Sequence, residues 1–373
     1  MTDKHLHIVT HDVPWPADYG GVTDLFYKLK ALHHLGINIH LHCFTQGRAP
    51  QDELNKYCSS VNYYPRKKNI SRFSFSLPFI VNSRTNAGLI SNLQKDDHPV
   101  LLEGIHCTYY LNNGQLGSRK ILVRLHNSEF EYYKQLAKLE NGFLKKLYFL
   151  NESRLLKKYE KAIAGKAIFL SVSSHDVELY RQLFSAKDIH YLPVFLPYTL
   201  AAGKEGKGCF CLYHGNLAIN ENEKAAIWLL QNVFNELAIP FVIAGKDPSE
   251  KLKRLAQQHQ HTCLVVNPSE QEMQDLVAKA HVHVLPSLNN TGVKLKLLNA
   301  MFNGRHCLVN NAAANGSGLE GFCHITEDAV SFKKKIEELY LQPFTEQELQ
   351  ERQGLLQTEY NNEINARKLI SFL

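Results

Sequence analysis

The segment from residue 284 to 311 constrains the fold most, because its hydrophobic pattern changes period twice within a short length. An apolar run at 281–285 predicts a buried strand, and a second run at 306–309 predicts another. Between them the apolar residues recur at helical spacing, which predicts a helix from about Lys294 that ends at Asn303-Gly304 in a left-handed turn. Strand, glycine turn, helix and strand make an α/β unit whose ligand edge lies at the helix N-terminus.

Two lysines, Lys294 and Lys296, lie in the first turn of this predicted helix, just after Gly292. The unpaired N–H groups and the positive dipole end of a helix N-terminus attract anions, and a glycine lets an anion approach the backbone closely. Lys296, Asn299 and Asn303 share the polar face of the helix. The pattern favours a diphosphate site. The alternative is that two lysines simply begin a solvated helix.

Residues 292–304, GVKLKLLNAMFNG, resemble the donor-binding helix of GT-B glycosyltransferases, in particular family 4, which often reads Gly-x-Lys/Arg-x-Lys-x-x-Glu-Ala-Met-x-x-Gly. The resemblance implies an α/β protein with two Rossmann-like domains that face each other across a cleft, and it places Lys294 and Lys296 on the donor diphosphate. Many members carry a Glu-x7-Glu pair that contacts the donor sugar and the ribose. Here these positions are Thr291 and Asn299, so the chain departs from those members at the donor site.

The resemblance extends to two further glycine turns. Gly20-Gly21 follows the first predicted strand and corresponds to a loop beside the donor phosphates; the alternative is a turn that needs positive φ. Gly215-Asn216 follows the strand that opens the second domain, and Lys246 follows the next one. The predicted donor-binding residues are Gly20, Gly21, Gly215, Asn216, Lys246, Gly292, Lys294, Lys296 and Asn299.

Polar side chains follow two apolar runs in the first half of the chain. The run at 99–103 delivers Glu103, and the run at 121–125 delivers His126, to the carboxyl edge of one sheet, where open α/β sheets bind ligands. In the resembling family a histidine at this place lies close to the reacting sugar, and histidine can hydrogen-bond a hydroxyl or move a proton. The alternative is a structural histidine. The predicted catalytic residues are His126, Glu103 and Lys296.

The order of elements predicts two domains and a connection. Residues 1–195 form a Rossmann-like acceptor domain, 196–208 are a linker rich in Pro, Gly and Lys, and 209–358 form the Rossmann-like nucleotide-sugar donor domain. By the resemblance, residues 359–373 form a helix that packs back on the first domain. Within the first domain, residues 129–166 are predicted to be one long charged helix.

Composition and charge limit the kinds of partner and the location that the sequence predicts. With 44% hydrophobic residues and no apolar run of transmembrane length, the chain is predicted to be globular, and its N-terminus lacks signal-peptide order, which predicts the cytoplasm. A net charge of +6 is too small to argue for nucleic acid. Basic and aromatic residues at 63–79, and the helix at 129–166, are candidates for contact with the inner face of a membrane; a basic loop and a solvated helix are the alternatives.

No metal or other cofactor is predicted at the donor site. The chain contains no Asp-x-Asp, the motif with which another glycosyltransferase class holds a divalent ion on the diphosphate. Eight cysteines are scattered, and the close pair Cys209-x-Cys211 has no second pair to complete a metal site, so we interpret them as reduced core thiols.

These observations predict an enzyme that transfers a hexose from a nucleotide-diphosphate sugar to a saccharide or lipid-linked acceptor. The reaction is expected to be metal-independent and, by analogy with the resembling family, retaining, as part of polysaccharide biosynthesis. Two alternatives stay open. One is a nucleotide-sugar epimerase of the same fold, and the other is a non-catalytic partner subunit, which the missing glutamates would favour.

Overall fold

The computed structural model describes residues 4–69 and 74–373. The chain divides into two compact units. The first comprises the chain up to Pro197 together with Glu359–Leu373, and the second comprises Tyr198–Thr358. Within the described residues, each unit contains one parallel sheet, with seven strands in the first and six in the second. The predicted α/β class is confirmed, because both sheets alternate strands with helices.

The first unit winds outward from the middle of its sheet. Its strands are β1 (Lys4–Thr10), β2 (Ile37–Thr45), β3 (Ser60–Pro65), β4 (Val100–Glu103), β5 (Ile121–Leu125), β6 (Ile168–Ser171) and β7 (Ile189–Tyr191). Its helices include α1 (Gly20–His34), α2 (Phe79–Asn82), α3 (Ala87–Leu93), α4 (Tyr109–Asn112), α5 (Glu129–Leu139), α6 (Phe143–Ile163) and α7 (Ser174–Phe184). The strand order β3-β2-β1-β4-β5-β6-β7 puts the reversal of winding between β1 and β4.

The second unit repeats this plan. Its strands are β8 (Cys211–Asn216), β9 (Phe241–Lys246), β10 (Thr262–Val266), β11 (Val282–Val284), β12 (His306–Val309) and β13 (His324–Ile325). Its helices are α8 (Asn220–Asn232), α9 (Glu250–Gln257), α10 (Glu270–Lys279), α11 (Leu295–Asn303), α12 (Asn311–Ala314), α13 (Ala329–Leu341) and α14 (Glu346–Gln357). The order β10-β9-β8-β11-β12-β13 puts the reversal between β8 and β11. The last helix, α15 (Asn362–Ile370), belongs to the first unit, where it packs against α1.

Three local predictions are wrong. Gly20 and Gly21 form the first turn of α1 rather than a loop, and neither has a positive φ. The segment predicted as one helix is two, because Glu140 and Gly142 take extended conformations between α5 and α6, and the Glu140 carboxylate accepts from the Gly142 N–H at 2.9 Å. Gly304 ends α11 with φ −115° rather than in a left-handed turn.

Gly304 is required for space instead. A Cβ there would lie 2.0 Å from Nε2 of His283, a side chain that is completely buried in β11. This separation is far shorter than any non-bonded contact, so a side chain at 304 would force either α11 or the buried His283 to move.

The predicted membrane contacts of residues 63–79 and 129–166 stay predictions. None of the described helices is long and apolar enough to cross a bilayer. The basic and aromatic segment at 63–79 includes residues 70–73, which lie outside the described residues. At the start of α6, Phe143 and Leu144 are exposed. The cysteine interpretation needs correction at two positions, because Cys209 and Cys263 are exposed rather than in the core.

A buried ion network fixes α1 against the first sheet. The guanidinium of Arg124, in β5, donates to both carboxylate oxygens of Asp24, in α1, at 3.1 and 2.8 Å, and both side chains are completely or almost completely buried. Arg124 also donates to the carbonyl oxygens of Leu192 at 2.6 Å and Pro193 at 2.9 Å. One side chain therefore joins a helix, a strand and the segment that follows β7.

We expect Arg124→Met to lower the free energy of unfolding by about 3–5 kcal/mol, because it leaves a buried carboxylate without its main partner. Urea denaturation of the full chain, followed by circular dichroism, measures the change. Arg367→Met is the matched control, since it removes an exposed i,i+4 pair with Glu363 and should cost about 0.5 kcal/mol or less. Equal effects of the two substitutions would contradict a structural role for the network.

Candidate functional site

The reversal between β8 and β11 marks the edge at which a parallel sheet of this kind binds ligands. At that edge β8 ends in Gly215-Asn216, which lie in register beside Gly245-Lys246 at the end of β9. A Cβ on Gly245 would lie 2.0 Å from the carbonyl oxygen of Gly215, so this position admits only glycine. The backbones of two strands are thus packed without side chains between them, and the predicted residues Gly215, Asn216 and Lys246 lie together.

Lys296 joins α11 to this edge. Its Nζ donates to the amide oxygen of Asn222 at 3.0 Å and to the hydroxyl of Tyr213 at 3.2 Å, and it lies 4.7 Å from the centre of the Tyr213 ring. Asn222 in turn donates to the carbonyl of Asn216 at 3.0 Å. Burial lowers the pKa of Lys296, Glu221 opposes the shift and Lys294 adds to it, and the net result is a pKa of about 8. The amine is therefore charged at neutral pH in a weakly polar environment.

The loop before α11 is held by its own polar side chains. Asn289 Oδ1 accepts from the backbone N–H and the hydroxyl of Thr291, both at 2.9 Å. Gly292 follows with φ +60°, which other residues rarely adopt. Lys294 is the N-cap of α11 rather than part of its first turn, and its Nζ donates to the carbonyl of Thr291 at 2.7 Å. Of the two lysines, Lys294 braces the loop and Lys296 reaches the sheet edge.

Neither position of the missing glutamate pair is open. Thr291 is almost completely buried, with its hydroxyl on Asn289. Asn299 lies one turn further along α11 than Lys296, and its amide oxygen accepts from the hydroxyl of Tyr198 at 3.0 Å and from Asn303 at 2.9 Å. Both side chains are engaged by neighbours from the same unit.

Sequence reasoning missed two members of this site, Glu221 and Ser287. The Ser287 hydroxyl donates to Glu221 Oε1 at 2.8 Å and links the loop after β11 to the start of α8. Asn222, the main partner of Lys296, lies beside Glu221 in the first turn of α8. The apolar pattern of α8 starts only at about residue 225, whereas the helix begins at Asn220. An earlier boundary would have placed Glu221 and Asn222 in its first turn, facing the ligand edge.

The predicted residues of the first half meet at the edge where β4 and β5 end. His126 Nε2 and Glu103 Oε2 are 3.1 Å apart, and Lys28 Nζ lies 2.8 Å from Glu103 Oε1 and 2.9 Å from Asp24 Oδ2. Burial alone would raise the pKa of Glu103, but the Lys28 ammonium and the contact with His126 outweigh it and lower the pKa. Glu103 is completely buried, whereas His126 is partly exposed. Glu103 therefore positions His126 and is itself out of reach of a ligand.

Two more histidines line the same edge. The rings of His11 and His106 lie 5.2 Å apart, and His11 lies 6.0 Å from His126. Burial lowers the pKa of His11 to about 3 and that of His106 well below its usual value, so both are neutral hydrogen-bonding groups. A Cβ on Gly21 would lie 3.2 Å from the His11 ring, so the glycine gives this ring room.

The carboxylates of Asp24 and Glu103 together with His126 also have the spacing of a metal site, with ligand atoms within 4.8 Å of one another. Their chemistry fits one poorly. Lys28 pairs with both carboxylates and Arg124 with Asp24, so the two negative charges are already balanced by two buried cations. A divalent ion would have to displace these cations.

The structure thus separates the predicted site residues between the two units. Gly20, Gly21, Glu103 and His126 belong to the first unit. The second unit carries the others, namely Gly215, Asn216, Lys246, Gly292, Lys294, Lys296 and Asn299.

Two comparisons of the sequence relate this chain to known proteins. Residues 209–342 match the family described as glycosyl transferases, group 1. An uncharacterized 44.6 kDa protein in the cps region of Klebsiella pneumoniae is 30% identical over 356 residues, which cover 88% of this chain and 89% of that protein.

Solved structures share the fold across both units. Sucrose-phosphate synthase from Thermosynechococcus elongatus superposes with a TM-score of 0.70 at 16% identity, covering 99% of this chain and 98% of that one. Staphylococcus aureus TarM, in a complex with fondaparinux, α-GlcNAc-glycerol and UDP, superposes with a TM-score of 0.67 at 11% identity, covering 99% of each chain. The fold is GT-B, and the protein belongs to the group 1 glycosyltransferases, the family 4 enzymes that the helix at 292–304 resembles.

Proposed function

We propose that this glycosyltransferase moves a hexose from a nucleotide-diphosphate sugar to a saccharide or lipid-linked acceptor, without a metal at the diphosphate and with retention of configuration. In this proposal the second unit binds the donor and the first unit binds the acceptor. The observation that carries it is Lys296, a partly buried ammonium at the N-terminus of α11, held at the ligand edge of a parallel sheet by uncharged groups.

The partners of Lys296 support a role with anions. Tyr213 and Asn222 orient the ammonium but do not neutralise it, and within residues 4–69 and 74–373 no carboxylate lies within ion-pair distance of it. The orphan N–H groups at the start of α11 add positive potential at the same place. When the bond to the donor sugar breaks, negative charge develops on the departing diphosphate, and a preorganised cation there stabilises the transition state.

In the first unit His126 is the group that would meet the reacting sugar. Its Nε2 is fixed by Glu103, and Glu103 is fixed by Lys28, so the ring orientation is set by a buried chain of charges. Nδ1 of His126 lies 3.9 Å from Asp24 Oδ2, beyond hydrogen-bond distance, and is the ring nitrogen that would meet a hydroxyl. Because the ring is already fixed, this contact would cost little side-chain entropy. His126 is thus our candidate for contact with the substrate, and Glu103 is a positioning residue.

The comparisons support the substrate classes. The TarM complex contains UDP and a glycoside, which agrees with a nucleotide-diphosphate donor and a saccharide product here. The Klebsiella relative lies in a cps region, which agrees with a role in polysaccharide synthesis. Neither observation selects the base, the sugar or the linkage.

A second candidate is a non-catalytic partner subunit. Thr291 and Asn299 carry no carboxylate, and their side chains are occupied by contacts within the unit, so the donor sugar and ribose lose the anchors that many relatives provide. Binding of nucleoside diphosphates with no turnover of any nucleotide sugar, with or without acceptor, would support this candidate over the first.

We expect Lys296→Ala to lower the rate of sugar transfer about 100-fold or more, because it removes a charged donor that acts on the leaving group. Single-turnover assays with the nucleotide sugar accepted by the wild type measure the effect. Lys334→Ala, an exposed lysine in α13, is the control and should retain wild-type rates. Activity of Lys296→Ala within a few fold of wild type, with an unchanged melting temperature, would refute the assignment.

The binding of UDP or another nucleoside diphosphate should weaken as pH rises through 8. The free protein has Lys296 with a pKa near 8, and a bound diphosphate raises the pKa by stabilising the ammonium, so above pH 8 binding must take up a proton. The expected decrease is up to about tenfold per pH unit. Calorimetry in buffers of different ionisation enthalpy measures the proton uptake, which should disappear in Lys296→Met.

His126→Ala should lower the transfer rate about 100-fold while the affinity for the nucleoside diphosphate stays within about twofold, because the residue acts on the sugar rather than on the diphosphate. Titration calorimetry and turnover assays on the same preparation separate the two quantities. Equal losses of affinity and rate would place His126 in nucleotide binding or in folding instead.

A further inference from the structure

A second group of metal-ligand side chains lies in the second unit, at the amino ends of the edge strand β13 and its neighbour β12. His306 opens β12, His324 opens β13, and Glu348 lies in the first turn of α14. One ring nitrogen of each histidine and one carboxylate oxygen lie within 4.8 Å of one another. These residues play no part in the donor site, which lies at the carboxyl ends of the strands.

The orientation of His306 leaves a lone pair without a partner. Its Nε2 lies 3.1 Å from the carbonyl oxygen of Gln342, an acceptor, so the proton of the neutral ring belongs on Nε2. Nδ1 is completely buried and makes no hydrogen bond with any residue that the structure describes, although Glu348 Oε1 lies 3.6 Å away. A buried acceptor on His306 therefore faces a carboxylate oxygen of the partly exposed Glu348, and a cation between the two atoms would satisfy both.

Glu348 is held through its other carboxylate oxygen, Oε2, so Oε1 stays available for a ligand. Its Oε2 accepts from the backbone N–H and the hydroxyl of Thr345, both at 2.8 Å, in a capping box at the start of α14. Oε1 is the oxygen near His306. The nearby guanidinium of Arg352 donates instead to the carbonyls of Met301 and Gly304, at 3.0 and 3.2 Å.

His324 completes the group. It lies in β13, the neighbour of β12 in the sheet, and its Cα is paired with that of Leu308. Its ring lies 5.6 Å from the ring of His306. A neutral imidazole carries the lone pair that a metal ligand requires.

We propose that His306, His324 and Glu348 bind a zinc ion that fastens α14 to the edge strand β13 and its neighbour β12. Two imidazoles and one carboxylate are a ligand set that zinc commonly takes, with water in the fourth position. The backbone carbonyl on His306 and the capping box on Glu348 are the outer contacts that orient zinc ligands in proteins. The ion would satisfy the two facing atoms with two bonds and would stabilise the second unit whether or not the protein transfers sugar.

The test uses the full chain, stripped with a chelator and then dialysed with zinc. We expect one zinc per chain by elemental analysis. X-ray absorption should show nitrogen and oxygen neighbours at about 2.0–2.2 Å and no sulfur at about 2.3 Å. At a hundredfold excess over the dissociation constant, zinc should raise the melting temperature by about 5 °C or more.

Two variants and a control decide the ligands. His324→Ala and Glu348→Gln should each lower zinc affinity about 100-fold or more and abolish the thermal shift. Glutamine keeps the capping box, so Glu348→Gln retains the helix cap if His324→Ala fails to fold. His261→Ala, an exposed histidine of the same unit, should bind zinc like the wild type.

The proposal is overturned if sulfur appears among the zinc neighbours, which would place the ion on the exposed Cys209 or Cys263. It is equally overturned if Glu348→Gln binds zinc as tightly as the wild type, or if the stripped wild-type protein binds none. A pH-dependent ion pair between His306 and Glu348 would then account for the cluster.

Discussion

The ammonium of Lys296 is the charge on which the proposed chemistry depends, and what matters is how it is held. The first unit balances its buried charges internally, since Asp24 and Glu103 each contact cations at hydrogen-bonding distance. Lys296 is oriented by an amide and a phenol, which fix its position but leave its charge. A charge that is fixed and not neutralised attracts an anion at little reorganisation cost, whereas a neutralised one braces the structure.

The two sheets position these groups by the same rule. In each, the winding reverses next to the first strand of the unit, so the carboxyl ends of β1 and β4 in one and of β8 and β11 in the other carry the polar residues. Glycines allow the strands of the second sheet to pack closely at its carboxyl edge. Because Gly245 packs against the carbonyl of Gly215, β8 and β9 reach the edge with bare backbone there, and Asn222 takes the space beside Gly215.

Much of this was predictable from the sequence, for a physical reason. Strands buried on both faces appear as continuous apolar runs, so β4, β5, β11 and β12 were found, and polar residues at their ends followed directly. Helix boundaries were less predictable, because Gly20 and Asn220 start helices without a side-chain cap. Because α8 begins before its apolar pattern does, the sequence did not indicate that Glu221 and Asn222 lie at the ligand edge. The roles of Gly304, Glu103 and Glu348 depend on neighbours distant in sequence, which no local pattern can show.

The first unit is discontinuous, because Glu359–Leu373 belong to it although the whole second unit is inserted before them. Leu369 and Ala366 are completely buried against apolar residues of α1 and the first sheet. During translation, the N-terminal half therefore waits with part of its core uncovered until α15 has left the ribosome. The second unit is continuous and can fold before that. The second unit, although synthesised later, can thus complete its core before the first unit does.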